Sequence, residues 1–174
     1  MSVAKLFILD CFNRFVKIYV MDSSAIFQRK AIYKNMITVP EVVSEVIDEQ
    51  SSVYLSVKNL KIEEASASCL KKIERIAKRT GDIYKLSDTD LKILAKALDE
   101  KEKGNDVILV TDDYAIQNVA KKIGIKFESV IQKGISKEFN WIKVCKGCGR
   151  RLTDDICPIC GSEAVIRRIK NDSN

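Results

Sequence analysis

Four cysteines carry the plainest chemistry in this chain. Cys145 and Cys148 form one Cys-x-x-Cys turn, Cys157 and Cys160 form a second, and eight residues separate them. Each turn is followed by a glycine, Gly149 or Gly161, whose backbone freedom lets amides turn toward sulfur. Two such knuckles suit a tetrahedral Zn²⁺ with bonds of about 2.3 Å to thiolate. The chain has no histidine, so the site is all-cysteine. A pair of disulfides is the alternative, and the paired spacing argues against it. Four protein sulfurs leave no position for water or substrate, which makes this zinc structural.

Catalytic chemistry must then come from carboxylates. Asp22 follows the apolar run Lys17-Ile18-Tyr19-Val20-Met21, and Asp112 and Asp113 follow Val107-Ile108-Leu109-Val110. Asp90 and Glu45 fall near helix starts directed at the same edge. In open parallel sheets, ligands bind beyond the carboxyl ends of the strands. Converging carboxylates without histidine describe an oxygen-rich site for Mg²⁺ or Mn²⁺. Such ions activate water and stabilise charge on a phosphodiester cleaved in line. Two carboxylates about 5 Å apart repel by roughly 3 kcal/mol at an effective dielectric of about 20, so the cluster calls for a cation. Each acid also has a purely structural reading. Asp22 and Asp113 can cap helices, and Asp90 completes a Ser87-x-x-Asp90 capping box. Glu45 shares a polar face with Glu41 and Glu49, among which periodicity does not choose.

The elements that position these groups alternate. Strand 17–21 leads into a helix from Ser23-Ser24 through Phe27. Val39-Pro40 opens a second helix, with proline at its favoured first position and a stripe of Val42, Val43, Val46 and Ile47. Leu60-Lys61-Ile62 reads as a strand. Ser66 to Thr80 reads as a helix with Leu70, Ile73, Ile76 and Ala77 inward and Gly81 as its stop. Its other face carries Lys71, Lys72, Arg75, Lys78 and Arg79. Ser87 starts a helix running to Gly104, Val107–Val110 is a doubly covered strand, Tyr114 to Lys122 is a helix, and Ile125-Lys126-Phe127 is another strand. This alternation predicts a three-layer α/β/α sandwich with a parallel sheet and a small C-terminal zinc ribbon. The expected divisions are an N-terminal extension over 1–16, an α/β domain over 17–128, a linker over 129–140, the ribbon over 141–168 and a tail over 169–174.

At 174 residues and 46% hydrophobic content, the chain has room for one domain with a real core plus a metal-dependent appendix. Its formal charge of +6 falls to about +4 once four thiolates and one Zn²⁺ are counted. From Trp141 onward there are seven Lys or Arg against four Asp or Glu. Lys146, Arg150, Arg151, Arg167 and Arg168 thus rim the knuckles as a candidate phosphate-contacting surface, or as a solvated face balancing the thiolates. Cys11 and Cys69 stand outside the paired spacing and read as small apolar residues. This usage points to a reducing cytoplasm. Leu6-Phe7-Ile8-Leu9 is too short and too interrupted to cross a membrane.

Val20-Met21-Asp22-Ser23-Ser24-Ala25, Glu45 within Val42–Val46, Leu86-Ser87-x-x-Asp90 and Val110-Thr111-Asp112-Asp113 resemble the four acidic motifs of PIN-domain ribonucleases. The resemblance implies Asp22, Glu45, Asp90 and Asp113 as metal-binding acids, with Asp112 as a substitute or supporting neighbour. It implies Ser24 and Thr111 as hydroxyls that orient ligands. Lys78-Arg79-Thr80-Gly81-Asp82 and the fused four-cysteine ribbon are similar to the NIN-one-binding-protein family over residues 17–166. That likeness implies a single-strand endoribonuclease that trims the 3′ end of small-subunit (16S) ribosomal RNA within pre-30S particles, alongside a KH-domain assembly factor. Asp22, Asp90 and Asp113 would hold the catalytic ion and Glu45 would complete the site or position water. The ribbon and basic helix face would grip the flanking RNA helix. The prefix before residue 17 departs from the family pattern. Two rival readings are a toxin-type PIN ribonuclease acting on tRNA or mRNA, and a non-catalytic zinc-ribbon RNA-binding adaptor.

Overall fold

A computed structural model describes residues 16–28, 33–46, 60–131 and 139–170. The expected roles of residues 1–15, Cys11, Ile47, Glu49, most of the linker and the last four residues lie outside that set.

Five parallel strands form the main sheet: β1 (Lys17–Met21), β2 (Met36–Thr38), β3 (Lys61–Ile62), β4 (Asp106–Val110) and β5 (Lys126–Glu128), in the order β3-β2-β1-β4-β5. Parallel pairing requires a crossover between successive strands, and helices supply it. They are α1 (Ser23–Gln28), α2 (Pro40–Glu45), α3 (Ala67–Thr80), α4 (Asp88–Glu102) and α5 (Tyr114–Lys122). Central β1 and β4 pair residue for residue from Lys17↔Asp106 to Met21↔Val110. Their buried residues Val20, Met21, Leu109 and Val110 meet Ile26, Val42, Ile73, Leu94 and Ile116 from the helices in one core. The order reverses at β1 and β4, because β1 connects outward to β2 while β4 connects outward to β5. A crevice opens at the carboxyl ends of strands where such a reversal occurs.

The local stops match the residues present. Ser66 caps α3 by accepting from the Cys69 amide, and Gly81 ends it in the left-handed conformation (φ 78°). Ser87 and Asp90 make the reciprocal capping box of α4. Strand β2 was not foreseen. Three residues, Met36-Ile37-Thr38, are too few to show an alternation, yet all three are buried, and the Thr38 hydroxyl donates to the Met21 carbonyl at 2.7 Å. Of the expected α2 stripe, Val42 and Val46 are buried and Val43 is half-buried. Cys69, in the first turn of α3, is buried, as a small apolar residue would be.

The ribbon is an antiparallel hairpin of β6 (Phe139–Cys145) and β7 (Ala164–Lys170). It starts two residues before the expected boundary at 141 and runs two residues past 168. It rests on the turn after α3, where Asp82–Tyr84 forms a short 3₁₀ helix. Asp82 is fully buried and accepts from Asn118 and Lys122 of α5 at 2.6 Å each, and from the Thr80 hydroxyl. Lys122 also donates to the Asn140 side chain of β6 at 3.0 Å, which ties α5 to the ribbon. Gly81 is held by two constraints. Its φ is positive, and a Cβ there would collide with the Trp141 carbonyl oxygen. Gly81→Ala should therefore cost about 2–4 kcal/mol and push the hairpin off the turn. Trp141 is the chain's single tryptophan, so a red-shifted emission at unchanged helical circular dichroism would report the displacement.

Candidate active site and zinc knuckles

Asp22 lies directly past β1, only 4% exposed, with its backbone N–H donating to the Val110 carbonyl of β4. One carboxylate oxygen accepts from the Ser23 amide at 2.7 Å. The other accepts from the Thr111 hydroxyl at 2.7 Å and the Ser24 hydroxyl at 2.9 Å. These two hydroxyls in turn accept backbone amides, Thr111 from Asp113 and Ser24 from Asp112. The result is a cross-strand lattice that fixes the Asp22 carboxylate and the Asp112-Asp113 turn relative to each other. Every donor to Asp22 is neutral. Among the described residues no lysine or arginine is ion-paired with Asp22, Asp90 or Asp113.

Asp113 caps α5 through one oxygen, which accepts from the Ala115 and Ile116 amides. Asp90 caps α4 through one oxygen, which accepts from the Ser87 amide at 2.7 Å. Both structural readings are thus realised, and each uses a single carboxylate oxygen. Asp112 turns the other way, one oxygen accepting from the amides of Val130 and Ile131 at 3.1 Å each, so it pins the chain after β5. Glu41 is committed to an ion pair with Lys92 at 2.6 Å. Glu45 is exposed at the end of α2.

Burial pushes the Asp22 carboxyl above the ordinary carboxylate range, against the pull of its Thr111, Ser24 and Ser23 donors, and the Asp113 charge adds to the rise. Burial likewise raises Asp90, opposed by the Ser87 amide and hydroxyl and reinforced by Asp113 and Asp22. The three acids therefore feel one another. They fit a hard divalent ion that keeps part of its water shell, for such ions bind through one or two carboxylates plus water. Among the described residues only the cysteines form a set of three or more ligand atoms all within 4.8 Å of one another, so the acids are spaced more widely than direct ligands on a small ion.

A pH dependence follows. Between the unfolded carboxyl value near 3.8 and the raised folded values, the folded chain holds protons that the unfolded chain has released. The contribution of these two acids to metal-free stability should fall as pH rises through that window, read as the difference from Asp22→Asn because Glu41, Asp99, Glu100, Glu102 and Asp106, held below the usual carboxylate range, act in the opposite sense. A divalent ion must displace those same protons, so its affinity should climb over the same window. Mn²⁺ calorimetry and thermal melts from about pH 4 to about pH 7 would check both slopes.

The four cysteine sulfurs meet at the other end of the molecule. Cys145 and Cys160 sulfurs stand 3.2 Å apart, and those of Cys148 and Cys157 stand 3.7 Å apart. A tetrahedron with 2.3 Å metal–sulfur bonds has edges of about 3.8 Å, so the set fits zinc. The Cys148 amide points at the Cys145 sulfur at 3.3 Å, and Gly149 and Gly161 close the turns at φ 74° and 69°. The Ser162 hydroxyl and amide pull the Cys160 thiol down to about 6, and the Arg150 amide and guanidinium lower Cys148. Thiolates are thus favoured at Cys148 and Cys160 before any metal arrives, whereas Cys145 is raised, the backbone amides that face it being outweighed by its burial and its Cys160 and Cys148 neighbours. Arg150 spends part of its charge here, as the balancing reading supposed. Lys146, Arg151, Arg167 and Arg168 are exposed.

Residues 19–99 match the family described as the PIN domain of ribonuclease. The chain is 64% identical to endoribonuclease Nob1 of Archaeoglobus fulgidus over 159 residues, 91% of this chain and 96% of that protein. The chain belongs to the Nob1 endoribonuclease family. Nob1 of Pyrococcus abyssi is 38% identical over 84% of this chain and 91% of its own length. Ribonuclease VapC1 of Thermoplasma acidophilum is 36% identical over 84% of this chain and 76% of its own. This Nob1-family chain is therefore an endoribonuclease, and its substrate is RNA. Among the described residues, no helix is long and apolar enough to cross a membrane.

Sequence reasoning missed the Asp82–Asn118–Lys122 network and the way Lys143 joins Lys78, Arg79, Arg150 and Arg151 around one groove. A charged residue directly after a helix-ending glycine was a faint signal for the first. Nothing local signalled the second.

Proposed function

We propose that this endoribonuclease cuts precursor small-subunit ribosomal RNA at the mature 3′ end of 16S. The observation that carries the catalytic part is Asp22, buried at the β1/β4 reversal without a cationic partner and facing two further carboxylates. The choice of substrate is supported by the full-length likeness to the Nob1 proteins and by the ribbon fused to the nuclease.

Asp22, Asp90 and Asp113 would hold a Mg²⁺ or Mn²⁺ ion, in part through its retained water shell. When bound, the ion supplies an activated water and stabilises charge on the phosphodiester. Ser24 and Thr111 fix the rotamer of Asp22, which sets where the ion can sit. Glu45, exposed beside the crevice, positions the attacking water. Asp112 anchors the loop after β5, which favours Asp113 as the ligand. Zinc is structural, and Lys146, Arg150, Arg151, Arg167 and Arg168 contact flanking phosphates. The reaction takes place in the cytoplasm on pre-30S particles, with a KH-domain assembly factor as a companion.

A synthetic RNA spanning the 3′ boundary of 16S, incubated with the protein and Mn²⁺, tests this reading. One cut at the boundary is expected. An intact boundary RNA beside cleaved tRNA or mRNA would support the toxin-type reading instead.

A further inference from the structure

One cavity lies away from the carboxylates. It is a groove of about 550 Å³ between the C-terminal end of α3, the 3₁₀ turn and the ribbon. Lys78 and Arg79 form one bank, while Lys143, Arg150 and Arg151 form the other, against a single acid, Asp154. Lys143 is held by Asp155 at 2.8 Å, and Arg150 leans on Cys148. Lys78, Arg79 and Arg151 are ion-paired with no carboxylate among the described residues.

The floor differs from an ordinary phosphate-binding surface. Tyr84, Trp141, Pro158 and Ile159 line it, and Tyr84 and Ile159 are 43% and 65% exposed. Double-stranded RNA is recognised through sugar and phosphate across a wide shallow groove, and its bases are stacked out of reach. A duplex would leave this apolar floor uncovered. An unpaired strand presents both things the groove offers partners for, since its bases lie against aromatic and aliphatic surface while its phosphates meet the cations. The volume falls within the range of small-molecule pockets, enough for one or two nucleotides but not for a helix.

We infer that this groove binds unpaired nucleotides of the RNA substrate, as a single-strand subsite separate from the carboxylate crevice. The inference rests on the chain acting on RNA and adds the form of RNA held at this place. The groove is built from both units, and the Asp82–Lys122–Asn140 contacts hold its two banks together.

Binding can be measured without cleavage, so its outcome is independent of the rRNA reading. The zinc-loaded full chain is titrated into a fluorescein-labelled single-stranded hexanucleotide RNA, free of added Mg²⁺ or Mn²⁺, and followed by anisotropy. Annealing the hexanucleotide to its complement should weaken binding about tenfold. Tyr84→Ala should weaken single-strand binding about tenfold, as should Lys78→Ala with Arg79→Ala. Lys34→Ala with Lys61→Ala removes the same charge from exposed positions outside the groove and should change the affinity by less than about twofold. Since Tyr84 and Lys78 are exposed, circular dichroism should confirm that the variants are folded. Equal affinity for duplex and single strand, equal losses in the groove double variant and the control double variant, or an acidic peptide displacing RNA from the groove more strongly than unlabelled RNA would each overturn the inference.

Discussion

Asp22→Asn is expected to lower the cleavage rate by on the order of 10³-fold and to leave the metal-free protein at least as stable as the parent. The two effects share one cause. Asp22 is buried, its donors are neutral, and Asp113 lies close enough to raise its affinity for protons. A folded carboxylate with a raised pKa costs stability at neutral pH, so removing its charge removes that cost. The same charge is what gives a divalent ion a reason to enter. Single-turnover cleavage and melting curves with and without Mn²⁺ should show activity lost, the metal-induced rise in melting temperature lost, and the metal-free midpoint unchanged or higher. A lower metal-free midpoint would show that Asp22 is a structural cap and nothing more.

Removing zinc is expected to have the other large effect, confined to a different part of the chain. The ribbon buries Val144, Cys145 and Cys157 but exposes Ile156 and Ile159, so it has little core apart from its metal. Structural zinc contributes on the order of 10 kcal/mol to such units. Chelation, or Cys148→Ser, should unfold β6–β7, shift Trp141 emission to the red and weaken RNA binding by at least about tenfold. The helical circular dichroism from α3, α4 and α5 should persist, because their buried faces pack on the main sheet rather than on the ribbon. Collapse of both units together would instead show that the Asp82–Lys122 pair depends on the ribbon to stay buried. A buried ion pair that loses one partner costs about 3–5 kcal/mol.

Much of this was legible because it is local. The Ser66 and Ser87 caps, the Gly81 stop and the doubly covered Val107–Val110 strand are each written within a few residues, and the structure shows them where expected. The cysteine spacing specified its own cluster. The acids were harder, because a capping carboxylate and a ligand carboxylate look alike in sequence. The structure shows Asp90 and Asp113 doing the first, each with one oxygen, while their charges act on the same crevice. Periodicity could not separate Glu41 from Glu45. The Lys92 ion pair, 51 residues away from Glu41, does so. Asp82 and Lys122 are 40 residues apart, and no pattern in either neighbourhood announces the pair. Strand β2 escaped because three residues carry no period.

Helix α5 carries Asp113 at its first end and Lys122 at its last, the one beside the crevice and the other clasping Asp82 and Asn140. Its nine residues span about 13 Å, and the peptide hydrogen bonds make that length stiff. The start of the hairpin and the carboxylate crevice are therefore separated by a gauge rather than a tether. One residue inserted into the gauge would swing Lys122 about 100° away from its seat. The spacing between the hairpin's footing and the carboxylates is thus written into the protein's own dimensions.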